Sequence, residues 1–254
     1  LFSDPAFRPD MVKIYPNTVV PSAELYQWFK EGKYKPYGDK ALFQSLLEMK
    51  LATPRYCRIS RLIRDIPATE IAAGNIITNL REGLEKELTR QGKKCVCLRC
   101  REIGRQLGNE EMKKFGNEVI PMLFVDTYET VGGTEYFLSF EDKDRTAVFG
   151  FLRLRLPDKT DITPPALMTL IPEIKDVAFI RELHVYGQMV KIGKEDIAAS
   201  QHKGLGKKLM SEAEKISLEH GFKKVAVISG VGVRDYYRKF GYRKQGTYMN
   251  KNLT

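Results

Sequence analysis

The stretch Gln201-His202-Lys203-Gly204-Leu205-Gly206 constrains the fold more than any other part of the chain. It reads Q-x-x-G-x-G and runs directly into Lys207-Lys208-Leu209-Met210-Ser211-Glu212-Ala213-Glu214. Leu205, Leu209, Ala213 and Ile216 recur at helical spacing, so the glycines open an amphipathic helix. The N–H groups of a first helical turn have no partner within the helix. With the helix dipole they form a seat for a pyrophosphate. Glycine suits such a seat because a Cβ would hold the phosphate off the backbone. A plain glycine-rich turn before a surface helix has the same pattern, so the flanking order matters. Lys224 to Ile228 is an apolar run of strand length, and Ser229-Gly230-Val231-Gly232 reads as a loop. A short segment carrying Tyr236 and Tyr237 follows, then Phe240-Gly241-Tyr242.

That order resembles the acetyl-CoA core of the GNAT acetyltransferases. The segments Arg181-Glu182-Leu183-His184-Val185-Tyr186-Gly187, Gln201-His202-Lys203-Gly204, Ile228 to Arg234 and Tyr236-Tyr237-Arg238-Lys239 are similar to the catalytic subunit of Elongator. The resemblance implies that the strand over 177–186 meets pantetheine through its backbone, beside a bulge that splays it from the next strand. It puts Glu182, Leu183, His184 and Val185 along the acetyl and pantetheine arm, and Gln201, Gly204, Leu205, Gly206 and Lys207 under the pyrophosphate. It favours Tyr237 as the cofactor contact and as the acid that protonates a leaving thiolate, with Tyr236 in core packing. Glu182 is the candidate base, the alternative being an ion pair with Arg153, Arg155 or Arg181. On a strand Glu182 and His184 share one face and Leu183 and Val185 the other; His184 is given a binding role only.

Upstream, Met11 to Tyr15 alternates like a strand, and helices are expected over 23–31, around Leu42-Leu46-Leu47-Met49, and at Leu80-Leu84-Leu88. Such a series is part of a β/α layer structure and too short for a whole barrel. Phe7-Arg8-Pro9-Asp10, Lys13-Ile14-Tyr15-Pro16, Arg64-Asp65-Ile66-Pro67, Asn79-Leu80-Arg81 and Arg101-Glu102-Ile103-Gly104 are similar to the last part of Elongator's radical-SAM domain. In that family an upstream three-cysteine motif holds a [4Fe–4S] cluster with S-adenosylmethionine. Both are therefore expected only in a full-length protein, and this chain, which opens on Leu1, reads as a C-terminal fragment. Residues 1–115 are expected to form the end of the radical-SAM-like domain and 116–254 the GNAT domain. The fold class is α/β: a partial β/α barrel segment followed by an α+β acetyltransferase domain.

Cys95-x-Cys97-x-x-Cys100 sets thiols at spacings that converge on a metal. Structural Zn²⁺ is the expected ion; Cys57, a histidine or water could supply a fourth ligand, and a cluster with one open site or free thiols are the alternatives. Four cysteines, three of them clustered, suit a reducing compartment and a cytoplasmic protein. The formal net charge of +10 favours a polyanionic partner. Arg55, Arg58, Arg61 and Arg64 recur at every third position and, with Lys13, Lys30, Lys33 and Lys35, are candidates for phosphate contacts; Tyr34 and Tyr37 could stack on bases. A solvated charged face is the alternative for each alone, and the resemblance favours tRNA for the group. No apolar run approaches membrane-spanning length and no signal peptide is read.

The resemblance implies acetyl-CoA-dependent carboxymethylation of tRNA wobble uridine, with this segment supplying acetyl-CoA binding, tRNA-stimulated thioester hydrolysis and part of the tRNA surface, and with other Elongator subunits as candidate partners. A cover formed by 189–200 is expected to shift when tRNA binds. Protein lysine N-acetylation and non-catalytic tRNA binding are the rival functions.

Overall fold

Residues 1–64, 66–77, 79–106, 119–158, 171–186 and 204–254 are described in the computed structural model. The chain divides into two units, Leu1–Ser3 with Pro9–Cys100, and Asp4–Arg8 with Arg101–Thr254.

In the first unit β1 (Met11–Lys13) pairs in parallel with β3 (Arg58–Arg61). A parallel pair needs a long crossover. Here the crossover holds β2 (Thr18–Val19), α1 (Glu24–Lys30) and α2 (Asp39–Ala52). β2 pairs antiparallel with β4 (Ala73–Gly74), and α3 (Leu80–Arg90) follows. Helix α2 stops at Thr53-Pro54, where proline restricts the preceding residue and offers no N–H. Leu46 and Leu47 of α2, Leu80, Leu84 and Leu88 of α3, and Ile59 and Leu62 form the core of this unit together with Cys97. Helix α1 buries no residue, and Trp28 is 47% exposed. Met49, expected on the apolar face of α2, is also exposed; the buried position beside it belongs to Lys50.

The second unit is built on a seven-stranded sheet in the order β10-β11-β9-β8-β7-β6-β5. Its strands are β5 (Met122–Thr130), β6 (Gly133–Glu141), β7 (Val148–Pro157), β8 (Ala178–Val185), β9 (Lys224–Val227), β10 (Arg243–Gln245) and β11 (Tyr248–Asn252). All neighbours are antiparallel except β8 and β9. Between those two the chain passes through α4 (Leu205–Glu219). A parallel pair joined through a helix puts that helix on a sheet face. Leu205, Leu209, Met210, Ala213 and Ile216 of α4 accordingly pack on Leu138, Leu152, Leu154 and Ile180. A second short helix, α5 (Arg234–Arg238), carries the paired tyrosines.

The opposite side of the sheet is also buried but is charged. Glu135 accepts from Arg155 at 3.0 Å and Arg181 at 2.8 Å. Glu141 is paired with Arg101 at 2.7 Å and Arg145 at 3.1 Å. Buried carboxylates persist only where such partners offset their desolvation.

Candidate functional site

β8 is bonded differently along its two edges. Against β7 the register slips by one residue: Leu154 faces Ile180 while Arg153 faces Glu182, so Arg181 is the extra residue of a bulge. Against β9 the pairing runs only from Ala178 to Ile180, opposite Val225 to Val227. β9 ends there, so 181–185 of β8 run on with no strand beside them on that edge among the described residues, and this open edge is the mouth. Gly204, the N-cap of α4, has φ +95°, a left-handed conformation that favours glycine. Gly206, within the first turn, is buried. A Cβ added there would overlap the Tyr236 hydroxyl and lie 3.5 Å from Cγ2 of Val185. Thus the end of β8, the first turn of α4 and one tyrosine hydroxyl converge on the mouth.

The two tyrosines sit differently from the expectation that Tyr237 meets the cofactor. Tyr237 is 7% exposed and belongs to the core under α4, edge-on to Tyr242. Tyr236 is 37% exposed and keeps its ring against Phe240, with centroids 4.9 Å apart. Burial holds the Tyr236 hydroxyl above its ordinary pKa, so it remains protonated at neutral pH. Nothing in the adjacent Tyr-Tyr pair reveals this division. Burial follows the phase in which α5 meets the sheet, which two identical neighbours do not encode.

Glu182 and His184 share the face of the sheet opposite α4. Glu182 accepts from Arg153 Nε at 2.9 Å, and Arg153 is 2% exposed with its guanidinium over the rings of Phe137 and Phe151. His184 stacks on Phe151, centroids 5.9 Å apart, and touches Tyr186. Leu183 packs on the core beneath α4, while Val185 is exposed at the mouth. Leu205 is buried, so only its backbone can meet a ligand; Lys207 is exposed. Gln201 and the expected cover over 189–200 lie outside the described residues.

In the first unit the Sγ atoms of Cys95, Cys97 and Cys100 lie within 4.8 Å of one another. Zn–S bonds of about 2.3 Å in a tetrahedron put sulfurs about 3.8 Å apart, so a modest contraction closes the set on an ion. Hydrogen bonds from Cys100 and Cys95 hold the Cys97 thiol far below its ordinary pKa, and the same contacts with Cys95 and Cys97 push Cys100 up. Cys57 is buried but outside this group, and its carbonyl accepts from the Leu98 N–H at 2.9 Å.

The expected basic residues separate into two sets. A register shift near Ser60 pairs Arg58 with Met11 and Arg61 with Lys13, so both arginines share the outer face of the strand pair despite their odd spacing. Lys13, Arg61 and Arg64 are exposed, whereas Arg55 and Arg58 are half-buried. Arg64 lies over the Tyr15 ring at 5.6 Å.

Comparison with known proteins accords with this geometry. The Radical_SAM C-terminal domain matches residues 9–90 and the Acetyltransferase (GNAT) family matches residues 110–242. The tRNA uridine(34) acetyltransferase of Methanocaldococcus jannaschii is 42% identical over 100% of this chain and 45% of its own length. Elongator complex protein 3 of Danio rerio is 41% identical over 99% of this chain and 44% of its own length. The solved structure of archaeal Elp3 from Methanocaldococcus infernus, with an N-terminal deletion, superposes with a TM-score of 0.81 at 39% identity, covering 99% of this chain and 57% of that one.

The chain belongs to the GNAT acetyltransferase family, and along its whole length it is similar to proteins named Elongator complex protein 3 and tRNA uridine(34) acetyltransferase. It spans about half the length of the curated relatives it matches. Among the described residues no helix is long and apolar enough to cross a membrane.

Proposed function

We propose that this chain binds acetyl-CoA at the mouth between β8 and β9 and hydrolyses its thioester in response to tRNA, as part of wobble-uridine modification in the cytoplasm. The observation that carries this reading is the convergence of the unpaired end of β8, the left-handed Gly204 at the start of α4 and the Tyr236 hydroxyl. Acetyl-CoA supplies an activated acetyl group. The α4 N-terminus, with the backbone of Gly204, Leu205 and Gly206 and the side chain of Lys207, offers N–H groups and positive charge to a pyrophosphate, and Gln201 is a further candidate on the family resemblance alone. The backbone of Glu182 to Val185 offers hydrogen bonds to an amide-bearing arm. Tyr236 Oη holds a proton beside the mouth, where a departing thiolate needs one; Tyr237, in the core, supports it by packing. Glu182, clamped by Arg153, faces the other side of the sheet and can orient or deprotonate a nucleophile approaching from there.

On the same reading Lys13, Arg55, Arg58, Arg61 and Arg64 form part of the tRNA surface, other Elongator subunits are candidate partners, and Cys95, Cys97 and Cys100 hold a structural zinc. Support for the tRNA substrate is the whole-chain similarity to proteins named for uridine(34). On the family resemblance, S-adenosylmethionine and an iron–sulfur cluster are expected only in a full-length protein. The test is release of free CoA from acetyl-CoA, titrated with tRNA and with a lysine peptide. Stimulation by tRNA and indifference to peptide are expected. Peptide acetylation without a tRNA response would replace this reading with the ordinary GNAT reaction.

A further inference from the structure

Lys50 stands where a helix should be apolar. It lies one turn after Leu46 and Leu47 on the buried face of α2 and is 0% exposed. A lysine is rarely so buried without a reason, since its ammonium must give up water. Its Nζ lies 3.6 Å from Sγ of Cys100 and 3.6 Å from Oε1 of Glu85. Its own carbonyl accepts from the Cys95 thiol at 3.3 Å. The same residue therefore touches two members of the cysteine group, one with its charge and one with its backbone. Glu85 is half-buried, reaches Cys100 Sγ at 3.7 Å and is approached by Arg81 at 3.9 Å.

The charges explain why a cation belongs there. Three thiolates around a divalent zinc leave the group with one net negative charge. A negative group in a protein interior is costly unless paired. We propose that Lys50 is the counter-charge and positioning residue of the three-cysteine metal group, donating an N–H to the Cys100 sulfur, with Glu85 competing for the same ammonium. This rests on the reading that Cys95, Cys97 and Cys100 hold zinc. Lys50 ligates nothing, because an ammonium has no lone pair to give. Its role is to place positive charge against the Cys100 sulfur and to fix the helix end whose carbonyl orients Cys95. Removing an outer partner of this kind commonly lowers metal affinity on the order of 10–100-fold.

The sign of the effect separates this role from simple packing. Lys50→Met keeps the length and apolar stem and removes the charge, so zinc affinity should fall about 10–100-fold. Glu85→Gln keeps the shape and removes the carboxylate beside Cys100. It frees the ammonium for sulfur, so zinc affinity should rise or hold. A purely structural role would weaken both variants together. The measurement is zinc affinity of the parent and both variants by competition with a chromophoric chelator, with total metal by elemental analysis. Cobalt substitution adds a second readout, the sulfur-to-cobalt charge-transfer band, which reports the number of thiolates on the ion. If Lys50→Met does not fold, Glu85→Gln and the conservative Lys50→Arg still decide. Arg, which keeps the charge, should bind zinc within about 10-fold of the parent, and Gln should not weaken binding. A parent without metal overturns the zinc reading and this inference with it. A zinc-loaded parent whose Lys50→Met variant binds equally well, or whose Glu85→Gln variant binds more weakly, overturns the role of Lys50 alone.

Discussion

The most informative perturbation at the mouth is Gly206→Ala. A Cβ on residue 206 would sit 3.5 Å from Cζ of Tyr236, an ordinary contact, and would overlap only the hydroxyl beyond it. The oxygen is fixed to the ring, so the whole side chain must tilt to carry that oxygen back by about 1 Å. Misplacing a catalytic group by that distance costs about 10²-fold in rate, equivalent to ~2.7 kcal/mol in the barrier. Stability should not suffer, because replacing a helical glycine with alanine gains up to about 1 kcal/mol, which offsets the tilt of a ring that is 37% exposed. The assay is CoA release with saturating tRNA, alongside acetyl-CoA affinity by calorimetry and a thermal melt. Gly206→Ala should melt no lower than the parent, bind acetyl-CoA and turn it over about 100-fold more slowly. Tyr236→Phe should show a similar loss, since it lacks the proton. The double variant should be no slower than Tyr236→Phe, because phenylalanine has no hydroxyl to collide with the new methyl group. Losses that multiply in the double variant would show that the methyl group acts elsewhere. A fully active Tyr236→Phe would remove this tyrosine from the acid role.

Arg153→Met should destabilise the second unit by about 1–3 kcal/mol, read from chemical denaturation; it loses contacts over two aromatic rings and an ion pair whose partner is half in water and therefore screened. Stability should also fall in alkali. Burial, then the nearby Glu214 carboxylate, raises the Tyr242 pKa above its ordinary 10.0. Its contribution is thus complete below pH 10.0 and fades as pH rises through the folded value. Tyr242→Phe should flatten that alkaline limb in melts across pH, and an unchanged slope would assign it to other groups. Replacing Lys13, Arg61 and Arg64 together with Ala should reduce the salt dependence of tRNA binding, by about 0.9 in log–log slope per lost duplex contact; filter binding at several salt concentrations reads this, and an unaltered slope would move the tRNA surface away from β1 and β3.

What could be read from the sequence was whatever repeats locally. The spacing of Leu205, Leu209, Ala213 and Ile216 gives α4 its phase, and that phase buries the same four residues against the sheet. Leu80, Leu84 and Leu88 do the same for α3. The close spacing of Cys95, Cys97 and Cys100 likewise foreshadows their convergence. Alternation along β8 correctly separates Glu182 and His184 from Leu183, and pairing with Arg153 was among the expected partners of Glu182.

What could not be read depends on register and on phase between distant segments. The slip at Arg181 is invisible in a strand's own pattern because it exists only relative to β7. The slip near Ser60 gathers Arg58 and Arg61 on one face, where strict alternation would separate them. Tyr236 and Tyr237 differ only in how α5 meets its neighbours. Lys50 is the intermediate case. Its place after Leu46 and Leu47 marks it as a break in an apolar face, which is legible, but its partners Glu85 and Cys100 come from later in the chain. A charged residue in an apolar position is stable only if another segment supplies its partner. Such a break therefore says that a polar group awaits it in the fold, and here the groups that meet it are sulfur and carboxylate.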